Sequence, residues 1–256
     1  EVVLNEMLLY LIIMQISGSV ASVFHCTCPL NIMNPFCLCP AELMENMDKK
    51  ATWDRFYAEN RSRASTFKNF EWFFGFDSVL IQMPCSKVLD MGCGTSALGP
   101  SIYRHSPHPV RVTCADISPV AVRLMQEHVQ AKAIKPHSAS SRLEFVELDC
   151  THLHEHFGPS SVDLIVDKGT MDALLRSKGG KGKAGLVLRQ CLKVLRSSGT
   201  LLQFSDEDPD ARLLWLETEA QEQGVMAAEV GVQEVGELRG VCYYCYQVTP
   251  RCIIQQ

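Results

Sequence analysis

Short apolar runs alternate with helix-like patterns along most of the chain, from residue 87 to residue 248. The apolar runs are short enough to be buried strands and are separated by longer segments with helical spacing. A helix is expected to begin at Ser118-Pro119, where Ser provides the N-cap and Pro suits the first turn. The other predicted helices cover residues 96–105, 183–195 and 209–223, and the predicted strands cover residues 87–91, 110–116, 143–148, 162–167, 200–204, 227–235 and 241–248.

This order of elements predicts the topology of the sheet. Strands separated by helices form a mainly parallel sheet with right-handed crossovers. The last two predicted strands are joined by a short G-E-L-R-G turn, which favours an antiparallel hairpin. We therefore predict an α/β fold with a doubly wound, mainly parallel sheet of seven strands and an antiparallel hairpin at one edge. The glycine-rich segment 177–185, which carries three lysines, is expected to be a mobile loop.

The N-terminal part of the chain has a different character. Residues 7–16 form an apolar run that is too short to span a bilayer, and the first basic residue of the chain is Lys49. This segment therefore lacks the pattern of a mitochondrial transit peptide. We assign residues 1–48 to a leader or a non-native extension outside the fold, and residues 49–256 to one domain. That domain begins with a polar helix on which Trp53, Phe56 and Tyr57 share one face.

Composition and charge narrow the classes of partner. The formal net charge of −5 argues against nucleic acid as the main partner, because phosphate binding needs a basic stripe. It suits small cationic ligands or basic protein segments. The twelve cysteines are too scattered for a secreted disulfide scaffold, so we expect a reducing compartment. The C-x-C pairs Cys26/Cys28 and Cys37/Cys39 do not have the usual zinc spacing, and we expect no metal.

The chemistry-bearing residues cluster at the ends of predicted strands. The first strand runs into V-L-D-M-G-C-G-T-S, residues 88–96, in which Gly92 and Gly94 allow a tight turn close to a ligand. In open parallel sheets, ligands bind beyond the carboxyl ends of the strands. Asp90 would repel a diphosphate but tolerate a sulfonium cofactor. Asp116 and Asp149, at the next two strand ends, are placed to accept hydrogen bonds from ribose hydroxyls and from the adenine amino group. Each of these aspartates, taken alone, could equally cap a turn or a helix.

Three motifs make a resemblance specific. The segments V-L-D-M-G-C-G-T-S, A-D-I-S-P-V-A-V and V-D-K-G-T-M-D-A-L resemble those of the seven-β-strand protein-lysine methyltransferases. The similarity runs from about Trp53 to Tyr246, with gaps. It implies a Rossmann-like methyltransferase sheet, S-adenosylmethionine as the cofactor, and a lysine of a protein substrate as the methyl acceptor. The segments F-E-W-F-F-G-F-D and L-L-Q-F-S-D-E-D-P-D-A-R further resemble members that act on citrate synthase in mitochondria, which implies that substrate and that location. No nucleic acid partner and no membrane span in the folded domain are expected.

The resemblance also implies roles for particular residues. Asp90, Gly92, Cys93 and Gly94 would hold the methionine end of the cofactor. Cofactor contacts are further implied for Trp72, which would form a lid, and for Asp116, Ile117, Asp149, Cys150 and Asp167. Asp167 and Lys168 would flank the transferring methyl group, and no general base is assigned. The candidates for docking the substrate lysine are Asp172, Asp206, Glu207 and Asp208.

Three alternatives remain open at the level of sequence. The first is a methyltransferase acting on another protein, on a small molecule or on RNA, although an N-P-P-Y signature is absent and Asp167-Lys168-Gly169-Thr170 stands in its place. The second is a catalytically silent binding module with the same fold. The third is a nicotinamide-dependent oxidoreductase, which Asp90 disfavours.

Overall fold

A computed structural model describes residues 11–12, 40–63, 67–75, 80–81, 85–221, 227–238 and 240–251. The strands are β1 (Leu11–Ile12), β2 (Leu80–Ile81), β3 (Lys87–Met91), β4 (Arg111–Asp116), β5 (Arg142–Glu147), β6 (Val162–Lys168), β7 (Leu195–Ser205), β8 (Ala227–Leu238) and β9 (Val241–Arg251). The helices are α1 (Pro40–Glu45), α2 (Lys50–Arg63), α3 (Leu98–His105), α4 (Pro119–Ala131), α5 (Leu153–Phe157), α6 (Thr170–Arg176), α7 (Lys181–Val194) and α8 (Pro209–Gln221).

Seven strands form the central sheet in the order β5-β4-β3-β6-β7-β9-β8. The five strands from β5 to β7 are parallel, whereas β9 pairs antiparallel with both β7 and β8. The predicted fold class, including the antiparallel hairpin at one edge, is confirmed. The chain moves outward from β3 to β5 and then returns to β6 on the other side of β3. The carboxyl ends of β3 and β6 are therefore the topological switch point, where ligands bind in sheets of this kind.

The central strands are buried on both faces, as expected for a parallel sheet covered by helices. In strand β6, successive side chains point to opposite faces of the sheet. Leu164 and Val166 pack into the hydrophobic cluster on one face, and Ile165 packs into the cluster on the other. Helix α7 covers the second face with Leu188 and Cys191, both fully buried. The described cysteines are free thiols, whereas the two C-x-C pairs lie outside the described residues.

The helix starts were predicted with mixed success. Ser118 does cap α4, accepting a hydrogen bond from the backbone N–H of Ala121, and Pro119 is the first helical residue. The prediction of a loop over residues 177–185 is wrong for its second half, because α7 already begins at Lys181. Ala184 is fully buried in the core there, so packing of the helix overrides the local glycine content.

The first described helix lies within the segment that we assigned to the leader. Leu43 and Met47 are buried in a cluster with Phe56 and Tyr57 of α2. The backbone carbonyl of Glu45 also accepts a hydrogen bond from the N–H of Lys178. Residues 40–48 therefore pack against the domain, and the predicted boundary at residue 49 is too late in the chain. The assignment of the preceding residues to a leader stays a prediction.

Candidate cofactor-binding and active site

A cavity of about 420 Å³ opens at the carboxyl ends of β3, β4 and β6. A cavity of this size can hold a small organic molecule. Six of its lining residues belong to the predicted cofactor set, namely Trp72, Gly92, Asp116, Ile117, Asp149 and Cys150. A smaller adjoining cavity is lined by Asp90, Cys93 and Gly94. The structure thus brings together nine of the ten predicted cofactor residues.

The glycine turn after β3 has no space for side chains. Gly92 has a φ of +64°, and a Cβ at this position would lie 1.9 Å from Thr170 Oγ1. Gly94 has a φ of +51°, and its Cβ would lie 2.4 Å from the Tyr57 hydroxyl oxygen. The N–H of Cys93 donates to the carbonyl of Ala115 at 2.9 Å, which ties the turn to β4. The turn therefore needs glycine at these two positions, because φ is positive and because Thr170 and Tyr57 lie too close for a side chain.

Asp116 connects the glycine turn to the start of α4. Its Oδ2 accepts a hydrogen bond from the N–H of Gly94, and its Oδ1 accepts one from the N–H of Ser118, both at 2.8 Å. Burial raises the pKa of Asp116 to about 6, although these two N–H donors oppose the rise. Each carboxylate oxygen keeps a second acceptor site, and the residue lines the cavity. Asp116 can therefore accept hydrogen bonds from a bound hydroxyl pair.

Asp90 is buried beneath the same turn. Its Oδ2 accepts a hydrogen bond from the N–H of Gly99 in α3 at 3.0 Å. Burial raises its pKa to about 7, while the positive charge of Lys168 and the Gly99 N–H act in the opposite direction. Asp90 also lines the smaller cavity. Because its pKa is raised to about 7, the charge of its carboxyl group depends on what lies next to it.

The third predicted aspartate lies on the exposed rim of the cavity. Asp149 Oδ1 accepts hydrogen bonds from the N–H and the hydroxyl of Thr151, at 2.9 and 2.7 Å, and so caps the short turn that follows β5. The buried Cys150 and the half-buried Ile117 line the cavity beside it. This end of the cavity therefore combines carboxylate acceptors with flat apolar surface, as an aromatic base requires.

The aromatic segment 67–75 forms one wall of both cavities through Trp72. Trp72 packs edge-on against Phe70 and Trp53, with ring centroids 5.3 and 6.2 Å away. Lys168, at the end of β6, also lines both cavities. Its ammonium group forms an ion pair with Glu71 at 2.5 Å and donates to the carbonyl of Trp72 at 3.1 Å.

Asp167 does not line either cavity, which differs from the predicted contact with the cofactor. Its side chain is fully buried and accepts hydrogen bonds from the N–H groups of Thr170 and Met171 at the start of α6, and from the Gln203 side chain. Burial, together with neighbouring Asp172, raises its pKa to about 7. Asp167 therefore caps the start of α6, and its predicted contact with the cofactor stays a prediction.

Asp172 is likewise buried and does not reach the cavity. Its Oδ1 accepts hydrogen bonds from Arg212 at 2.8 Å and from the Ser205 hydroxyl at 2.6 Å. Burial raises its pKa, and the positive charge of Arg212 opposes this rise. Its carboxylate is paired with the buried guanidinium of Arg212, and its predicted role in docking the substrate lysine stays a prediction.

The other docking candidates lie in the loop after β7. Asp206 forms an ion pair with Arg176 of α6. The carbonyl of Glu207 accepts a hydrogen bond from the Tyr246 hydroxyl, and Asp208 Oδ1 accepts one from the N–H of Asp210. These residues are half-buried or exposed and line neither cavity. Their loop follows the carboxyl end of β7, beside β6, so it lies on the same edge of the sheet as the cavity.

Four residues that contribute to the site were not predicted as site residues. Glu71 holds Lys168, Tyr57 covers Gly94, Thr170 lies against Gly92, and Met47 adds apolar surface to the cavity. Glu71 alone left a signal, because it is the one carboxylate within the aromatic run F-E-W-F-F. The other three reach the site only through the tertiary packing of α2, α6 and the preceding segment.

The first comparison gives the class of protein. Residues 84–237 match a family model described as a methyltransferase domain, which spans more than half of the chain. With its doubly wound sheet and glycine turn, the chain is an S-adenosylmethionine-dependent methyltransferase. A TehB-like SAM-dependent methyltransferase from Corynebacterium glutamicum covers 79% of this chain and 100% of its own, at 15% identity and a TM-score of 0.49.

Two relatives define the family within that class. The citrate synthase-lysine N-methyltransferase CSKMT, mitochondrial, of Danio rerio is 63% identical over 222 residues, which cover 82% of this chain and 87% of that protein. The protein of the same name from Homo sapiens is 41% identical over 213 residues, covering 78% and 85%. The chain belongs to this family of protein-lysine methyltransferases, and the resemblance inferred from the three motifs is confirmed.

Two further features concern the described residues, namely their relation to membranes and to metal ions. No helix among them has the length and apolar character needed to cross a membrane. Within the same residues, no group of three or more His, Cys, Asp or Glu side chains is arranged to hold a metal ion.

Proposed function

We propose that this chain transfers a methyl group from S-adenosylmethionine to a lysine side chain of citrate synthase in mitochondria. The main support is the cavity at the switch point of the sheet, whose acidic and apolar lining matches the parts of this cofactor. The substrate and the location are supported by the names of the two relatives, which describe mitochondrial citrate synthase-lysine N-methyltransferases.

The lining residues fit the adenosine part of the cofactor. Asp116 would accept hydrogen bonds from the ribose hydroxyls with the free acceptor sites of its carboxylate. Asp149 would accept from the adenine amino group, with Cys150 and Ile117 against the base. Gly92 and Gly94 let Thr170 and Tyr57 pack closely against the turn, and the backbone of the turn lines the cavities.

The smaller cavity fits the methionine part. Asp90 faces it and would attract the cationic amino group, and a bound cation would in turn favour the ionised carboxylate. Asp90, which lies beneath the glycine turn, would repel a diphosphate there, and this supports a sulfonium cofactor over a nicotinamide dinucleotide.

The chemistry requires little of the protein beyond positioning. When bound, S-adenosylmethionine supplies an electrophilic methyl group: the sulfur–carbon bond breaks as the nitrogen–carbon bond forms, and a thioether is left. The apolar wall of Met47, Trp53 and Trp72 would exclude water from the substrate lysine and favour its neutral form. The lysine proton is lost to solvent before attack, so the site needs no dedicated general base. Alignment of amine, carbon and sulfur then accounts for most of the rate.

The acidic loop after β7 would guide the substrate. Asp206, Glu207 and Asp208 lie at the same edge of the sheet as the cavity, and their negative charge would attract a basic segment around the target lysine. Their role is electrostatic steering at the surface rather than contact with the reacting nitrogen, because none of them lines the cavity.

A methylation assay with purified proteins tests the proposed function. The full chain is incubated with citrate synthase and S-adenosylmethionine, and the substrate is analysed by intact-protein and peptide mass spectrometry. We expect methylation at a lysine, and no methylation with the Asp116→Ala variant. If citrate synthase stays unmodified while the enzyme binds the cofactor, the proposed substrate is wrong. If the cofactor does not bind either, the assignment of the site is wrong as well.

A further inference from the structure

The aromatic segment 67–75 covers the glycine turn but is held by few backbone contacts of its own. The N–H of Phe70 donates to the Thr95 hydroxyl at 3.3 Å, and the N–H of Phe74 donates to the carbonyl of Trp72 at 2.8 Å. The segment belongs to no helix or strand. Its position over the cavity must therefore depend on side-chain contacts to the rest of the domain.

Lys168 supplies three of these contacts from the end of β6. Its ammonium group donates to a carboxylate oxygen of Glu71 at 2.5 Å, and to the carbonyl oxygens of Trp72 and Phe74 at 3.1 and 3.0 Å. The side chain is only 7% exposed. An ammonium group has three N–H donors, so all of them are used on this one segment. Lys168 thus has no donor left for the reacting groups.

Glu71 anchors the other side of the same contact. Its Oε2 accepts a hydrogen bond from the Ser96 hydroxyl at 2.7 Å, and its Oε1 accepts one from the N–H of Ala97 at 2.6 Å. Ala97 is the N-cap residue of α3, where a carboxylate is favourable because the N-terminal N–H groups lack partners. Glu71 therefore fastens the aromatic segment to α3 and, through Lys168, to β6.

We propose that Glu71 and Lys168 form a tether that holds Trp72 over the cofactor cavity, so that both act as positioning residues for cofactor binding. In this proposal Lys168 acts by holding segment 67–75, whereas its place beside the transferring methyl group stays a prediction. This inference rests on the proposed cofactor, but the tether itself is a property of the cofactor-free protein. It also explains why a lysine stands beside Asp90, whose pKa it lowers.

The tether is tested by substitutions at each partner. Lys168→Met removes the charge and keeps the length of the side chain, Lys168→Arg keeps the charge, and Glu71→Gln removes the opposite charge. Arg196→Met is the matched control, because Arg196 pairs with Asp163 near the opposite end of β6 and lines neither cavity. Hydrogen–deuterium exchange of the peptide covering residues 67–75 reports the tether without cofactor, and calorimetry with S-adenosylmethionine reports its consequence.

We expect faster exchange of residues 67–75 in Lys168→Met and Glu71→Gln, and cofactor binding about tenfold weaker, or about 1.4 kcal/mol. Lys168→Arg should recover part of both effects, and the control should change neither. The loss of affinity in the double variant should be smaller than the product of the two single losses, because both substitutions break the contact between Glu71 and Lys168.

Two outcomes would overturn the tether. One is unchanged exchange and unchanged cofactor affinity in Lys168→Met, with turnover reduced, since that result would place Lys168 at the chemical step. The other is a double variant whose losses in affinity multiply. If Lys168→Met does not fold, Glu71→Gln and Lys168→Arg decide the question by the same two measurements. A wild-type protein with a protected segment 67–75 but no cofactor binding would reject the proposed function and leave the tether standing.

Discussion

The buried carboxyl group of Asp90 should make the cofactor-free protein less stable as the pH rises. Replacing Asp90 by Asn keeps the shape of the side chain and an oxygen that can accept the hydrogen bond from Gly99, but removes the charge. In the folded protein, burial raises the pKa of Asp90 to about 7 from an ordinary value of 3.8. The folded state therefore holds this proton more tightly than the unfolded state does.

The sign and size of the effect follow from this difference. A raised pKa in the folded state contributes most to stability below the pKa of the unfolded chain, and the contribution is lost as the pH rises through about 7. Between pH 5 and pH 8 the loss amounts to about 3 kcal/mol. The Asp90→Asn variant has no such loss, so its stability relative to wild type should rise by about 3 kcal/mol over the same interval.

Urea denaturation of the cofactor-free wild type and variant at several pH values between 5 and 8 measures this difference. Asp163→Asn is the control. Burial acts to raise the pKa of Asp163, but hydrogen bonds from Ser86 and Lys87 and the charge of Arg196 hold it below its usual value. Its contribution is therefore constant in this pH interval and is lost only in stronger acid. A difference for Asp90→Asn that stays flat, or falls with pH, would refute the reasoning.

Three further results follow from single contacts. Asp116→Ala removes the charged acceptor for both ribose hydroxyls and should weaken cofactor binding, measured by calorimetry, by at least about 100-fold. The circular dichroism spectrum should be unchanged. An unchanged affinity for the cofactor would contradict the role assigned to Asp116. Gly94→Ala should lower the free energy of unfolding by about 2 kcal/mol, from the positive φ and from contact with the Tyr57 hydroxyl. In the Gly94→Ala chain, adding Tyr57→Phe should restore only the part of the free energy of unfolding that the contact with the hydroxyl costs. If the free energy of unfolding does not rise, that contact does not contribute to the loss. Arg212→Met leaves Asp172 buried without its cation and should cost about 3–5 kcal/mol in urea denaturation. Adding Asp172→Asn should recover much of that cost, whereas an additive loss would contradict the pairing.

The sheet could be predicted from the sequence because its strands are apolar runs bounded by glycine or charge. Strand β3 was predicted with the bounds that the structure shows, Lys87–Met91. The hairpin of β8 and β9 followed from the short turn between them. The start of α7 was missed because the glycine and lysine content of residues 177–185 indicates a loop, whereas the burial of Ala184 that stabilises the helix is a tertiary effect.

The candidate site was predicted as far as strand ends determine it. Asp90 and Asp116 lie at the carboxyl ends of buried strands and line the cavities, as their positions indicate. Asp167 also lies at the carboxyl end of a strand, yet its side chain accepts hydrogen bonds from the N–H groups at the start of α6. Position along a strand cannot separate these two outcomes. The aromatic run F-E-W-F-F draws attention to Glu71, but its partner Lys168 lies 97 residues away in the chain, so the local pattern does not reveal the role of this carboxylate.

The most direct test of the account is a labelling experiment with a whole mitochondrial extract. The protein is incubated with the extract and with S-adenosylmethionine carrying a labelled methyl group, and the labelled proteins are identified by peptide mass spectrometry. The account predicts that citrate synthase carries the label on a lysine and that the Asp116→Ala variant gives none. Label found only on other proteins, or on small molecules, would contradict the claim that this chain methylates citrate synthase.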